Sequence, residues 1–112
     1  MSLDFALVVD IDSGSARTRT VEVFSLNITH NLREMWIKAG VYDALYESDG
    51  KCAGEIIEAL VCGLGHMEEH PAEYQALNPP NGWGSYDGAF RWLTMVTRAC
   101  TEHHKAIIAI SK

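Results

Sequence analysis

The segment Asn27-Ile28-Thr29-His30-Asn31 places four hydrogen-bonding side chains within five residues, a density of donors and acceptors suited to gripping a ligand. Asparagine amides pair a donor with an acceptor, as a base edge or a sugar hydroxyl requires, and His30 can donate, accept or titrate near neutrality. Helix capping by Thr29 or Asn31 absorbs one or two of the four; Asn27 and His30 then call for a further explanation. A second segment, Asn81-Gly82-Trp83-Gly84-Ser85-Tyr86, sets an indole between two glycines. That composition suits a platform on which a planar ring stacks while the backbone comes close. The plainer alternative is a tryptophan tucked into the core beneath a turn. The expected ligand-binding set is Asn27, Thr29, His30, Asn31, Asn81, Trp83 and Tyr86.

Other chemistry is less well founded. His66-Met67-Glu68-Glu69-His70 matches the H-x-x-E-H arrangement of inverted zinc peptidases, in which two histidines hold the metal and a glutamate acts as base. The chain offers no strong third ligand and Pro71 follows at once, so a solvated helix end is expected, with no metal and no cofactor. Asp10, Asp12 and Glu22 read as residues of a hairpin and an exposed strand face. Asp12-Ser13-Gly14-Ser15 lacks the Gly-Lys-Ser/Thr of a phosphate-binding loop, and no serine lies in a nucleophile elbow. No residue is assigned a catalytic role. The enzymatic alternative is a small hydrolase or transferase with His30 as general acid or base and Asn31 or Asn81 orienting the substrate. A third reading makes Trp83 the anchor of a protein-interaction surface.

The elements that must position these residues follow from periodicity. Residues 3 to 11 are apolar and β-branched, Asp12 to Ser15 reads as a turn, and Thr18 to Leu26 resumes an alternating strand. Leu32, Met35, Trp36 and Ala39 share one face of a helix that starts at Thr29 or Asn31 and stops at Gly40, with a further turn through Tyr46. The polar cluster thus sits where a strand hands over to a helix, whose free N–H groups favour an anion or polar ligand. A second helix is expected from Lys51 onward, on a face of Ile56, Ile57, Leu60, Val61, Leu64 and Met67. Gly63 and Gly65 cost it about 1 kcal/mol each relative to alanine, so they either permit close packing or loosen the helix. Pro71 opens a short helix through Leu77, and Asn78 to Gly84 must be a shaped loop. Ser85 caps a last helix to His104, buried through Phe90, Leu93, Val96 or Thr97, and Cys100; Ala106 to Ile110 forms a final strand. His103 and His104 then complement the dipole of the last helical turn. The whole is one α+β domain, residues 1–112: a small, mostly antiparallel sheet made of the N-terminal hairpin and the C-terminal strand, with three to four helices packed on one face.

A chain of 112 residues carrying a formal charge of −6 is large enough for a core without staples and argues against a nucleic-acid polymer as partner, since Arg17, Arg19 and Lys105 form no basic stripe. Cys52, Cys62 and Cys100 cannot all pair and are expected as small buried thiols within helices, which fits a reducing cytoplasm. No apolar run reaches the length of a membrane span. The expected partner is a small molecule, with homo-oligomerisation left open.

The motifs Asn27-Ile28-Thr29-His30-Asn31-Leu32, Ala39-Gly40-Val41-Tyr42 and Asn78 through Gly88 resemble those of a family of small bacterial and bacteriophage proteins with N-I-T-H-N-L and N-P-x-N-G-W-G-x-Y blocks. The resemblance spans roughly residues 21 to 112 and implies a strand, helix, helix, loop, long helix and strand in that order. It carries no activity. Met35-Trp36-Ile37 departs from the family pattern at what is expected to be a pocket wall, and Lys112 stands where the family usually has arginine. Compact phage-associated proteins without catalytic machinery include sponges that sequester nucleotide signals of host defence, and by analogy the expected function is non-enzymatic binding of a small polar, nucleotide-like ligand.

Overall fold

A computed structural model describes residues 2–12 and 18–112. Three strands, β1 (Ser2–Asp12), β2 (Thr18–Thr29) and β3 (Ile107–Ser111), form one antiparallel sheet in the order β2-β1-β3. Alternation along β1 sends Leu3, Phe5 and Leu7 to one side, where all three are fully buried. Their register partners, Ile28, Leu26 and Phe24 on β2 and Ile110 and Ile108 on β3, continue that apolar face. Ser2 and Asp4 face the other way, opposite Thr29 and Asn27. Between Leu7 and Val8 the register shifts so that Val23 is one extra residue on β2, a bulge. Ser13 to Ser15 of the expected turn lie outside the described residues.

Among the described residues, five helices accompany the sheet, which makes the class α+β, and the last of them packs against β2. They are α1 (Arg33–Ala39), α2 (Tyr42–Tyr46), α3 (Ile57–Glu69), α4 (Pro71–Gln75) and α5 (Tyr86–Glu102), with short 3-10 turns at His30–Leu32 and Ala53–Glu55. Gly40 ends α1 in the left-handed region at φ 76°, and the Ser85 hydroxyl accepts from the Gly88 amide at 3.1 Å to start α5. In the core, Trp92 of α5 meets Phe5 of the sheet edge-on at 6.4 Å and Trp36 of α1 at 5.8 Å between ring centroids. These contacts tie sheet, α1 and α5 into one packed body.

Several expectations need correction. Helix α3 begins at Ile57, because the chain before it is drawn to the segment that leads into β3: Ala53 and Gly54 amides donate to the Ala106 and His104 carbonyls at 2.8 Å each. Its buried face is Leu60, Gly63 and Met67, and Val61 is 53% exposed. Ile56 is buried as well and Ile57 and Leu64 pack against the core, so Val61 alone departs from the expected face, and Gly63 joins it by lying against Val41 and the Ala39 carbonyl. Cys52 and Cys62 are exposed, and of the three thiols Cys100 alone is buried. Helix α5 stops at Glu102, leaving His103 and His104 beyond its last turn. Met35 and Trp36 are fully buried and therefore build core rather than a pocket wall. Among the described residues, no helix is long and apolar enough to cross a membrane.

Candidate functional site

Strand β2 runs on through Thr29, so Asn27 is a strand residue whose side chain lies on the sheet's outer face. Its amide nitrogen donates to Ser2 Oγ and Asp4 Oδ1, both at 2.7 Å. The donors of Asn27 are thus engaged across the sheet, and its Oδ1 is the atom left for a ligand. At the strand end Thr29 Oγ1 accepts from the Asn31 amide at 3.2 Å and turns the chain into the 3-10 segment. That turn and the seven residues of α1 are short, so the helix dipole adds less here than the sequence suggests.

The second segment is brought over by its glycines. Gly84, at φ +112°, lies so close to this turn that a Cβ there would stand 3.1 Å from both Thr29 Cγ2 and Leu32 Cδ2. No other residue type fits that combination of backbone and contact without strain. Asn81 Oδ1 accepts from the Trp83 amide at 2.9 Å, and Asn78 Oδ1 accepts from the Tyr86 amide at 2.7 Å. Asn31 Nδ2 reaches the Trp83 carbonyl at 3.4 Å, a long hydrogen bond that links the two segments directly.

Between them lies a cleft of about 680 Å³ lined by Ser2, Asn27, Thr29, His30, Asn31 and Trp83. Its size is that of a small-molecule site. Trp83 is 71% exposed and forms one wall, so it is no core residue. His30 also lines the cleft, with Nδ1 3.0 Å from the Tyr46 hydroxyl. Burial, followed by the neighbouring Tyr42, pushes the Tyr46 hydroxyl above its ordinary value of 10.0, while Arg33 pulls the other way; it stays protonated near neutrality. The two groups share a hydrogen bond that either can donate, and it fixes the orientation of the imidazole at the cleft.

Of the expected set, Asn27, Thr29, His30, Asn31 and Trp83 line this cleft together. Asn81 does not, and its side chain shapes the loop instead. Tyr86 is buried, its hydroxyl donating to the Met67 carbonyl at 2.7 Å, so it anchors the start of α5 to α3 and presents nothing to the cleft. Ser2 is an additional lining residue, brought in by its pairing with Thr29. The H-x-x-E-H histidines have other partners: His66 Nδ1 lies 2.6 Å from the Tyr74 hydroxyl, and His70 Nδ1 pairs with Glu73 at 2.7 Å. Lys38 also pairs with Glu73 and, by hydrogen bond and charge, holds its carboxyl below the ordinary value. Among the described residues, no group of three or more His, Cys, Asp or Glu side chains is placed to hold a metal ion.

Comparison of the chain with protein-family models, with curated proteins and with solved structures finds no match. Fold and cleft together define a small α+β domain carrying a half-open polar cleft walled on one side by an exposed indole.

Proposed function

We propose that this domain binds, without transforming it, a small polar, nucleotide-like ligand held between the Asn27 to Asn31 segment and Trp83. The observation that carries the reading is the exposed indole facing a cleft lined by two asparagine amides and an imidazole. A large apolar ring left in water on a cleft wall gains from covering by a flat partner, and base–aromatic stacking is worth about 1–3 kcal/mol. The amides and His30 supply the polar complement that fixes orientation. A cytoplasmic sponge for a nucleotide signal of host defence is the biological form this reading takes, by analogy with compact phage-associated binding proteins.

Thermal-shift measurement with nucleotides and cyclic nucleotide signals tests it. A true ligand at a hundredfold excess over its Kd adds about 2.7 kcal/mol, whereas no stabilisation across the panel removes the proposal. The hydrolase or transferase reading rests on the hydrogen bond between His30 and Tyr46, which orients a titratable ring in the cleft. Ligand recovered intact from the denatured complex supports binding alone. A converted product, lost in His30→Ala, would support the enzyme. The exposure of Trp83 equally suits a protein contact, and loss of a captured partner in Trp83→Ala without any nucleotide response would favour that interaction module.

A further inference from the structure

His30 borders a second basin, of about 360 Å³, whose other walls are Arg33, Tyr42, Tyr46 and Lys112. Its chemistry is opposite to that of the chain as a whole. Nine Lys and Arg stand against fifteen Asp and Glu in the sequence, yet this basin gathers a guanidinium, an ammonium, an imidazole and two tyrosines. The cations are positioned by the fold. Tyr42 and Tyr46 stack at 4.6 Å with their planes 12° apart, and the Arg33 guanidinium lies over the Tyr42 ring, 5.3 Å from its centroid. Arg33 has no ion-pair partner among the described residues. Lys112 donates to the Tyr46 carbonyl at 3.0 Å and approaches Glu47 Oε1 at 3.5 Å, so its charge is partly answered and Arg33 is the principal free cation.

We propose that this basin receives the phosphate of the ligand whose ring lies on Trp83. The inference rests on the reading of the cleft given above and narrows the ligand to a phosphorylated molecule of the nucleotide class. His30 is the residue common to both cavities, so a single ligand passes from ring to phosphate across its imidazole. Arg33 offers a planar fork of donors that matches two phosphate oxygens at once, and the tyrosine stack beneath it limits the freedom lost on binding. Glu47 beside Lys112 disfavours a second, larger anion on that side.

The test is calorimetric titration of the full chain with the common ribonucleosides, their 5′-monophosphates and inorganic pyrophosphate, repeated on Arg33→Gln and Trp83→Ala. Both side chains are exposed, and thermal unfolding verifies that both variants fold. The expected result is a monophosphate binding about tenfold or more tighter than its nucleoside. Arg33→Gln should abolish that advantage while leaving nucleoside affinity in place, and Trp83→Ala should weaken nucleoside and nucleotide alike. A nucleoside that binds with no gain from its phosphate, or a gain untouched in Arg33→Gln, overturns the phosphate assignment and leaves the cleft reading standing. Pyrophosphate binding that needs Arg33, with no nucleoside or nucleotide bound, retains the basin as an anion site and overturns the cleft reading. Silence from every probe overturns the phosphate assignment, and the thermal shifts with cyclic nucleotides then decide the cleft reading.

Discussion

Two glycines of α3 that stand two residues apart, and so on opposite faces of the helix, should respond to the same substitution with opposite signs. Gly63 faces α1 and the residue after its cap: a Cβ there would overlap Val41 Cγ1 and stand 3.0 Å from the Ala39 carbonyl oxygen. Val41 is fully buried and the carbonyl is backbone, so neither can yield cheaply. Gly65 has no atom within 4 Å of the same construction. Alanine gains each site about 1 kcal/mol of helix propensity, whereas overpacking a tight contact costs about 1–3 kcal/mol. The overlap with Val41 puts Gly63 in the upper part of that range, about 2–3 kcal/mol, so with the propensity gain subtracted Gly63→Ala is expected to destabilise by about 1–2 kcal/mol, and Gly65→Ala to stabilise by up to about 1 kcal/mol. Because the propensity gain is common to both, the difference between the two variants isolates the packing term. Urea denaturation reads it from the midpoints at constant m-value, and each kcal/mol corresponds to roughly 4 °C in Tm for a domain of this length. If Gly63→Ala were as stable as the parent, or both variants moved in the same direction, α3 would not be seated against the end of α1. The end of α1 and the His30 turn before it would then be held by other contacts.

Gly84→Ala should both lower stability by about 1–3 kcal/mol and weaken ligand binding, since φ +112° and the contacts with Thr29 and Leu32 hold the Trp83 loop against the turn; unchanged unfolding and binding would refute the account of loop placement. Trp83→Ala should leave stability within about 0.5 kcal/mol, because the ring is exposed, yet lower nucleotide affinity about fivefold to 150-fold; a large stability loss would mean the ring is a core residue. Alkaline pH should unfold the domain. Burial pushes the Cys100 thiol from 9.0 up to about 11 and raises the Tyr46, Tyr74 and Tyr86 hydroxyls above 10.0. A raised acid contributes its full stability below the unfolded pKa and loses it as pH climbs through the folded one. Stability is therefore expected to be level with respect to these groups through neutral pH and to fall above about pH 9, with Cys100 alone accounting for about 2 kcal/mol by pH 11. Urea midpoints across that range check it, and a fall in Cys100→Ala as steep as the parent's would contradict the assignment.

Much of this arrangement was legible from residue order because it depends on local rules. Alternation in β1 and β2, the left-handed stop at Gly40 and the Ser85 cap are each set within a few residues. The pairing of the Asn27 to Asn31 turn with Trp83 was an inference from composition, and it is Gly84, a position needing both positive φ and the absence of a side chain, that realises it. Tyr86, a hydroxyl three residues after an indole, resembles part of the same platform in sequence and is instead buried against α3. The corrective signal was present, since Tyr86, Ala89 and Leu93 fall at the spacing of one helical face. Ser2 and the Arg33 to Lys112 basin were not readable at all. Both arise from strand pairing, Ser2 with Thr29 and Asp4 with Ser111, and register between distant segments leaves no mark in local sequence. The Gly63 contact was foreseen only as one of two options, because propensity cannot say which glycine faces a neighbour.

The central claim is that Trp83 and the Asn27 to Asn31 turn grip one ligand between them. Trp36 and Trp92 are buried while Trp83 is exposed, so quenching of the long-wavelength tryptophan emission during nucleotide titration reports on Trp83. The account predicts saturable quenching in the parent protein, shifted to higher nucleotide concentration in Asn31→Ala and His30→Ala, in which the indole is still present. Quenching that rises without saturation and is the same in all three proteins would mean chance collision with an exposed ring, and would contradict it.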